Sequence, residues 1–461
     1  STDANQAVAQ FNLMIASQTY TDAIVCGSTY YIGGIDKYVD QDIIIDLSPY
    51  TDYMKNYMLR RKNTEELDGG LCLRMTLTDK NRIAFWYEIK QTLQPSFNGP
   101  QVRGDWAEQL GINLDEVITY DDWYDMLTTF KNSGLGEIDA PYLSNYNDGS
   151  DVQLLAGRNL NDEWTNIDGV VSYSPYEPAF KEYLQMFAKW YEEGLIDQDF
   201  YSRAATDRES LYLNGKACVG SIMYIDVDRY DRSTKDAENP NWTPITIPVV
   251  EEGFERRIGY ASVATYATNS WTTITTACSE ELIPVICQYQ DYMYTEEGAL
   301  LSNYGIEGET FYFGEDGKPY FMDYITENPD GISLSGMMAK CAIIHGSRSG
   351  WYDWEREISE NMSDKARYTC GEVWDSNLVD YAPTISVDVD EANYTEYSRI
   401  YNDVQTYVDE WVVKAVTGQI DLEAEYDTYI SEIEKLGVKE MIQYRQEAYD
   451  RFLNRDITIG Y

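Results

Sequence analysis

A single histidine, His345, is available for chemistry in 461 residues. Histidine-based metal clusters and Ser–His–Asp triads therefore lack their central group. No GxSxG elbow surrounds a serine, and no GxxxxGK[ST] or GxGxxG loop offers a phosphate cradle. His345 reads as a structural or ligand hydrogen-bonder. The seven cysteines stand singly, at Cys26, Cys72, Cys218, Cys278, Cys287, Cys341 and Cys370, with no CxxC pair. That spacing argues against a zinc ribbon or thioredoxin-type site, and the odd number argues against a complete disulfide framework. Most are expected to be buried small hydrophobes. Asp226, Asp228 and Asp231 in DVDRYD imitate a calcium loop but lack its turn glycine and terminal glutamate. No metal and no cofactor are expected. Carboxylates are abundant, 79 against 35 basic residues, so a two-carboxylate glycosidase stays open, although any pair chosen from so many is a chance-level choice.

Aromatic loops carry the remaining chemistry. Sugar rings present C–H faces that stack on Trp and Tyr, and their hydroxyls ask for planar donors and acceptors from Arg, Asp, Glu and Asn. Four segments offer both. GSTYYIGG holds Tyr30 and Tyr31 among glycines. RGDWAEQLG sets Arg103 and Asp105 beside Trp106. SRSGWYDWE sets Trp351, Tyr352 and Trp354 beside Arg348 and Asp353. CGEVWDSN sets Trp374 beside Asp375. Core packing competes with this reading at each Trp. It is strongest for Trp106 and Trp190, on amphipathic helices, and weakest for Trp351 and Trp374, in polar, glycine-containing context.

The composition agrees with a small uncharged partner. A net charge of -44 repels phosphate backbones and anionic headgroups, which excludes nucleic acid as a natural partner. There are 41 Tyr and 11 Trp against 12 Phe, a bias toward rings that both pack and hydrogen-bond. No stretch reaches the roughly 20 apolar residues of a membrane span, and no signal peptide is visible. The length calls for two lobes.

Helical and strand-like patterns alternate, as in an α/β fold. DAIVCG (22–27), GKACVGSIMYIDV (215–227) and ASVATYATNSWTTIT (261–275) read as strands, the second running into a helix start. Trp106–Lys131 reads as helix–loop–helix with Thr119 as N-cap. Residues 177–194 form an amphipathic helix stopped by Gly194. A helix is expected over 281–294, a hairpin at EDG (315–317), and almost continuous helix over 393–455. No linker or repeat interrupts the chain, so the lobes should interleave.

Several segments then resemble one family. FNLMIASQTYTDAIV, VRGDWAEQLGINL, TYDDWYDMLTTFKNSG, WYEEGLIDQDF, YTEEGALLSNYGIEGETF and the long WVVKAVTGQIDLEAEYDTYISEIEKLGVKEMIQYRQEAYDRF follow, in order, the motifs of family 1 extracellular solute-binding proteins. The nearest subgroup is the Gram-positive, lipoprotein, oligosaccharide-binding branch. The resemblance implies an α/β, two-lobed periplasmic-binding-protein-like fold with an interlobe ligand cleft. It places residues 1–105 and 260–308 in the first lobe and 106–259 and 309–461 in the second. It implies a monomer that closes on an oligosaccharide and delivers it to the permease subunits of an ABC importer without catalysis. It implies an extracellular location, lipid-anchored to the outer face of a Gram-positive membrane. The family's opening strand–helix–strand normally precedes the FNLM helix, so a weakened first-lobe sheet is expected. The calcium loop of some relatives is replaced by KNSGLGEIDAPYL, too poor in acids for the ion. By the same resemblance Tyr30, Tyr31, Arg103, Tyr224 and Trp271 should face the cleft, and Trp351, Tyr352 and Trp374 should be stacking platforms. Asp105 is either ligand-facing or structural, and Tyr304 and Glu307 either line the cleft or pin the hinge. A glycoside hydrolase and a binder of a non-sugar solute such as a peptide remain the alternatives.

Overall fold

The computed structural model describes residues 4–27, 30–31, 33–144, 152–235, 238–259, 265–327, 332, 334–341, 343, 349–358, 370–382 and 387–458. Its strands are β1 (Ala23–Val25), β2 (Trp86–Lys90), β3 (Asn98–Arg103), β4 (Trp164–Ile167), β5 (Val170–Tyr173), β6 (Val219–Met223), β7 (Trp242–Pro244), β8 (Ala267–Ile274), β9 (Phe311–Phe313), β10 (Pro319–Phe321) and β11 (Gly350–Tyr352). A four-stranded sheet has the order β1-β8-β2-β11, and a three-stranded sheet the order β6-β3-β7. In the first, β2 pairs antiparallel with β8 and parallel with β11. The second is antiparallel throughout.

β2 and β3 are consecutive in the chain but belong to different sheets, so the chain crosses between them over residues 91–97. It returns ahead of β8 and leaves again after β11. Two large apolar cores go with the two sheets. One gathers Phe11, Tyr31, Trp86 and Ile89. The other gathers Val102, Trp123, Phe187 and Trp411. Each fully buried Leu- or Phe-sized side chain contributes about 1.5–3 kcal/mol, so each unit carries its own hydrophobic drive.

Local sequence explains the helices that frame the second sheet. Thr119 caps the helix Tyr120–Asn132, and the Asp122 carboxylate accepts from the Thr119 N–H at 2.7 Å. The helix Pro178–Glu192 opens on proline, whose missing N–H costs nothing there, and buries Phe180, Leu184, Phe187 and Trp190. Gly194 follows at φ 62°, a left-handed turn that ends it. Trp106 and Trp190 are both core residues, as their helical spacing indicates. The EDG turn joins β9 to β10, with Gly317 at φ 76°. The last helices are Glu391–Val416, Leu422–Leu436 and Val438–Leu453, all packed into the second core.

Candidate functional site

Beside the start of the first crossing lie the segments that enter β8 and leave β11. Lys90 donates its N–H to the Tyr266 carbonyl at 2.7 Å, and Gln91 donates to the Tyr352 carbonyl at 2.9 Å. The end of β2 is thereby stitched to the segments that enter β8 and leave β11. The Trp354 indole donates to the Thr92 carbonyl at 3.1 Å, and the Thr92 hydroxyl donates to Glu355 at 3.1 Å.

Polar groups pin both ends of this bundle. Toward the first sheet, the Tyr304 hydroxyl donates to Asp353 at 2.8 Å. Asn303 donates to the Trp351 carbonyl at 2.9 Å and accepts from the Asp353 N–H at 3.1 Å. Burial pushes the Tyr304 phenol up, reinforced by the Asp353 charge, and burial pushes the Asp353 carboxyl up as well. Toward the second sheet, Asp375 accepts from the Ser96 N–H and hydroxyl at 3.0 and 2.6 Å. Arg256 is fully buried and spends its donors on Asn377 (2.7 Å), the Ile258 carbonyl (2.8 Å) and the Trp374 carbonyl (2.5 Å). Burial lowers its pKa to about 10. Between the sheets a relay connects the two sides: the Lys90 ammonium donates to the Gln94 side-chain oxygen, and the Gln94 amide donates to the Tyr224 hydroxyl at 3.4 Å.

The aromatic residues of these loops divide into partly exposed and buried rings. Trp351 is half-buried, with the Arg60 guanidinium 3.4 Å above its ring. Tyr30 is half-buried, 5.8 Å from Phe11 between ring centroids. Tyr224 is buried but presents its hydroxyl to the relay. Three expectations are corrected. Tyr31 is 2% exposed, edge-on to Phe11, Tyr38 and Phe85 at 5.0, 4.9 and 5.0 Å; the aromatic box outcompetes exposure of one hydroxyl. Trp374 is wholly buried on Gly99, its indole donating to the Pro100 carbonyl at 3.0 Å. Tyr352 is buried under the Arg356 guanidinium, 4.8 Å from its ring centre.

Arg103 is also buried; it bonds Asp105 at 2.8 and 2.6 Å and lies 4.2 Å over the Trp106 ring, which marks Asp105 as structural. Tyr304 is a pin of the crossing. Glu307 is exposed beside a bridge to Phe311. The backbone of Trp271 lies in β8, and its side chain is outside the described residues, as are His345, Arg348 and the side chain of Asp228. Lys90, Gln94, Asn303 and Arg256 were not anticipated. The polar run QTLQPS (91–96) is the sequence signal that points to Gln94.

Two α/β units, each with its own sheet and main core, are joined by crossings of the chain into a two-lobed fold. The solved extracellular solute-binding protein from Bifidobacterium longum subsp. infantis shares this fold, with a TM-score of 0.74 at 15% identity, covering 97% of this chain and 90% of that one. No family model matches the chain. Among curated relatives, lipoprotein LipO of Bacillus subtilis is 24% identical over 318 residues, 66% of this chain. The match spans 59% of LipO, somewhat under two thirds of its length. The fructooligosaccharide ABC transporter substrate-binding protein FusA of Streptococcus pneumoniae is 21% identical over 436 residues, 88% of this chain and 76% of FusA. The chain is thus similar, at 21–24% identity, to a bacterial lipoprotein and to a substrate-binding protein of an ABC transporter.

Proposed function

We propose that this chain is the substrate-binding component of an ABC importer and captures an oligosaccharide between the lobes carried by the two sheets. The observation that carries the reading is the stitching of the chain's crossings between two cored units, the construction of a hinge. The substrate class follows the name of FusA and the aromatic character of the loops. In this reading the first lobe carries the β1-β8-β2-β11 sheet and the second the β6-β3-β7 sheet, which moves the first boundary from 105/106 to the crossing 91–97 and assigns β11 to the first lobe. Tyr30, Trp351 and the Lys90–Gln94–Tyr224 relay are the proposed ligand contacts. The protein acts outside the cell, as a monomer held by a lipid anchor, hands the sugar to the permease and leaves it uncleaved.

Calorimetry over a panel of neutral and uronate oligosaccharides, with chromatography of the mixtures afterwards, tests the reading. Saturable binding of an oligosaccharide recovered intact supports it. Cleavage products would establish a glycosidase instead, and binding confined to peptides would move the substrate class.

A further inference from the structure

A second tie joins the two units away from the crossings. The turn 78–81 precedes β2, whereas the first crossing leaves from the opposite end of that strand. This turn is bonded to the first unit: the Thr78 hydroxyl donates to Asp36 at 2.7 Å, and the Lys80 N–H donates to the other Asp36 oxygen at 2.8 Å. Lys80 and Arg82 both bond Asp40, the latter at 2.8 Å. Asp79, at the tip, faces the other way. Its carboxylate accepts from Arg451 Nε at 3.0 Å and from Arg455 Nη2 and Nε at 2.7 and 3.1 Å.

Both arginines extend from the C-terminal helix and its end. That helix is rooted in the second core through Val438, Met441, Ala448 and Phe452. Neighbouring bonds double the tie. Arg455 Nη1 donates to the Arg74 carbonyl at 2.9 Å, Arg74 Nε donates to the Leu453 carbonyl at 3.2 Å, and the Asp456 N–H donates to Asn81 at 2.7 Å. Arg451 is held from its own side by Asp390 at 3.4 Å and the Asp388 carbonyl at 3.2 Å. A rotation that carries the turn 78–81 away from the C-terminal helix has to break this set of bonds.

We infer that Asp79, Arg451 and Arg455 form an ionic clasp that holds the lobes together opposite the hinge and sets the balance between open and closed forms. The inference rests on the lobe-closure reading above. The Asp79, Arg451 and Arg455 side chains are 27%, 32% and 13% exposed, so salt reaches the clasp and screens it.

Small-angle scattering of the sugar-free protein at low salt provides the test. Asp79→Asn and Arg455→Gln should each enlarge the radius of gyration, and Asp79→Glu, which keeps the charge, should enlarge it less. At about 1 M salt, where screening is short-ranged, the unmodified protein should expand to match the two charge-removing variants. Affinity for a bound oligosaccharide should fall by about 5- to 30-fold in both. An unchanged radius in both charge-removing variants at low salt overturns the clasp, even if their melting temperatures drop, because the residues would then be structural only. Failure of every sugar to bind would refute the proposed substrate class, while the sugar-free scattering would still decide the clasp.

Discussion

Replacing Gly99 with alanine drives a methyl group into Trp374. A Cβ at Gly99 would lie 2.4, 2.5 and 2.6 Å from Cδ2, Cε2 and Cγ of the indole. Carbon atoms in ordinary contact are about 3.5–4.0 Å apart, so the ring or the strand must yield by about 1 Å. The ring has little room to do so. It is wholly buried, its nitrogen is tied to Pro100 on the same strand, and its own carbonyl holds Arg256. Overpacking of this kind costs about 1–3 kcal/mol, and losing the indole hydrogen bond adds about 1 kcal/mol. Urea unfolding followed by Trp fluorescence should therefore show Gly99→Ala less stable by about 2–4 kcal/mol. The effect should be relieved in a Trp374→Phe background, where the smaller ring makes room, giving a coupling of about 1–3 kcal/mol in the double-mutant cycle. A Gly99→Ala protein as stable as its parent, or an equal cost in both backgrounds, would refute the packing of Trp374 on β3.

The tyrosine pair should separate in the same kind of experiment: Tyr31→Ala loses about 3–5 kcal/mol of stability, whereas Tyr30→Ala stays near the parent in stability and loses sugar affinity by calorimetry. The half-buried Asp353 carboxyl keeps its proton in the folded state above the pH at which an unfolded Asp, near 3.9, releases it. Folding stability therefore falls as pH rises from that value through the raised folded one, and Asp353→Asn should flatten this part of a pH series of melting temperatures. Burial pushes the Cys72 and Cys287 thiols up to about 12. A maleimide reagent at neutral pH should thus modify only Cys26 and Cys341, the two partly exposed thiols, until the protein is unfolded.

Elements governed by local spacing were legible in the sequence. The Thr119 N-cap, the helix stopped by Gly194 and the EDG turn each depend on residues within one element. Tertiary burial was not legible in this way. Trp374 sits among polar neighbours in CGEVWDSN, but the glycine that makes room for its ring is Gly99, in a strand far back in the chain. Tyr31 has glycines beside it in sequence and three aromatic rings beside it in space. The parallel pairing of β11 with β2, which returns the Trp351 segment to the first sheet, joins residues more than 250 positions apart, and nothing in either segment announces it. The hinge left a faint trace in the polar run from Gln91 to Ser96, whereas Arg256 and Asn303 acquire their roles only through the fold.

The central claim is that two lobes close on an oligosaccharide. Small-angle scattering during titration with the tightest-binding oligosaccharide tests it most directly. Closure should appear as a saturable fall in the radius of gyration, complete at one sugar per chain, with the sugar recovered intact. A radius unchanged at saturation, or a sugar returned as fragments, would contradict it.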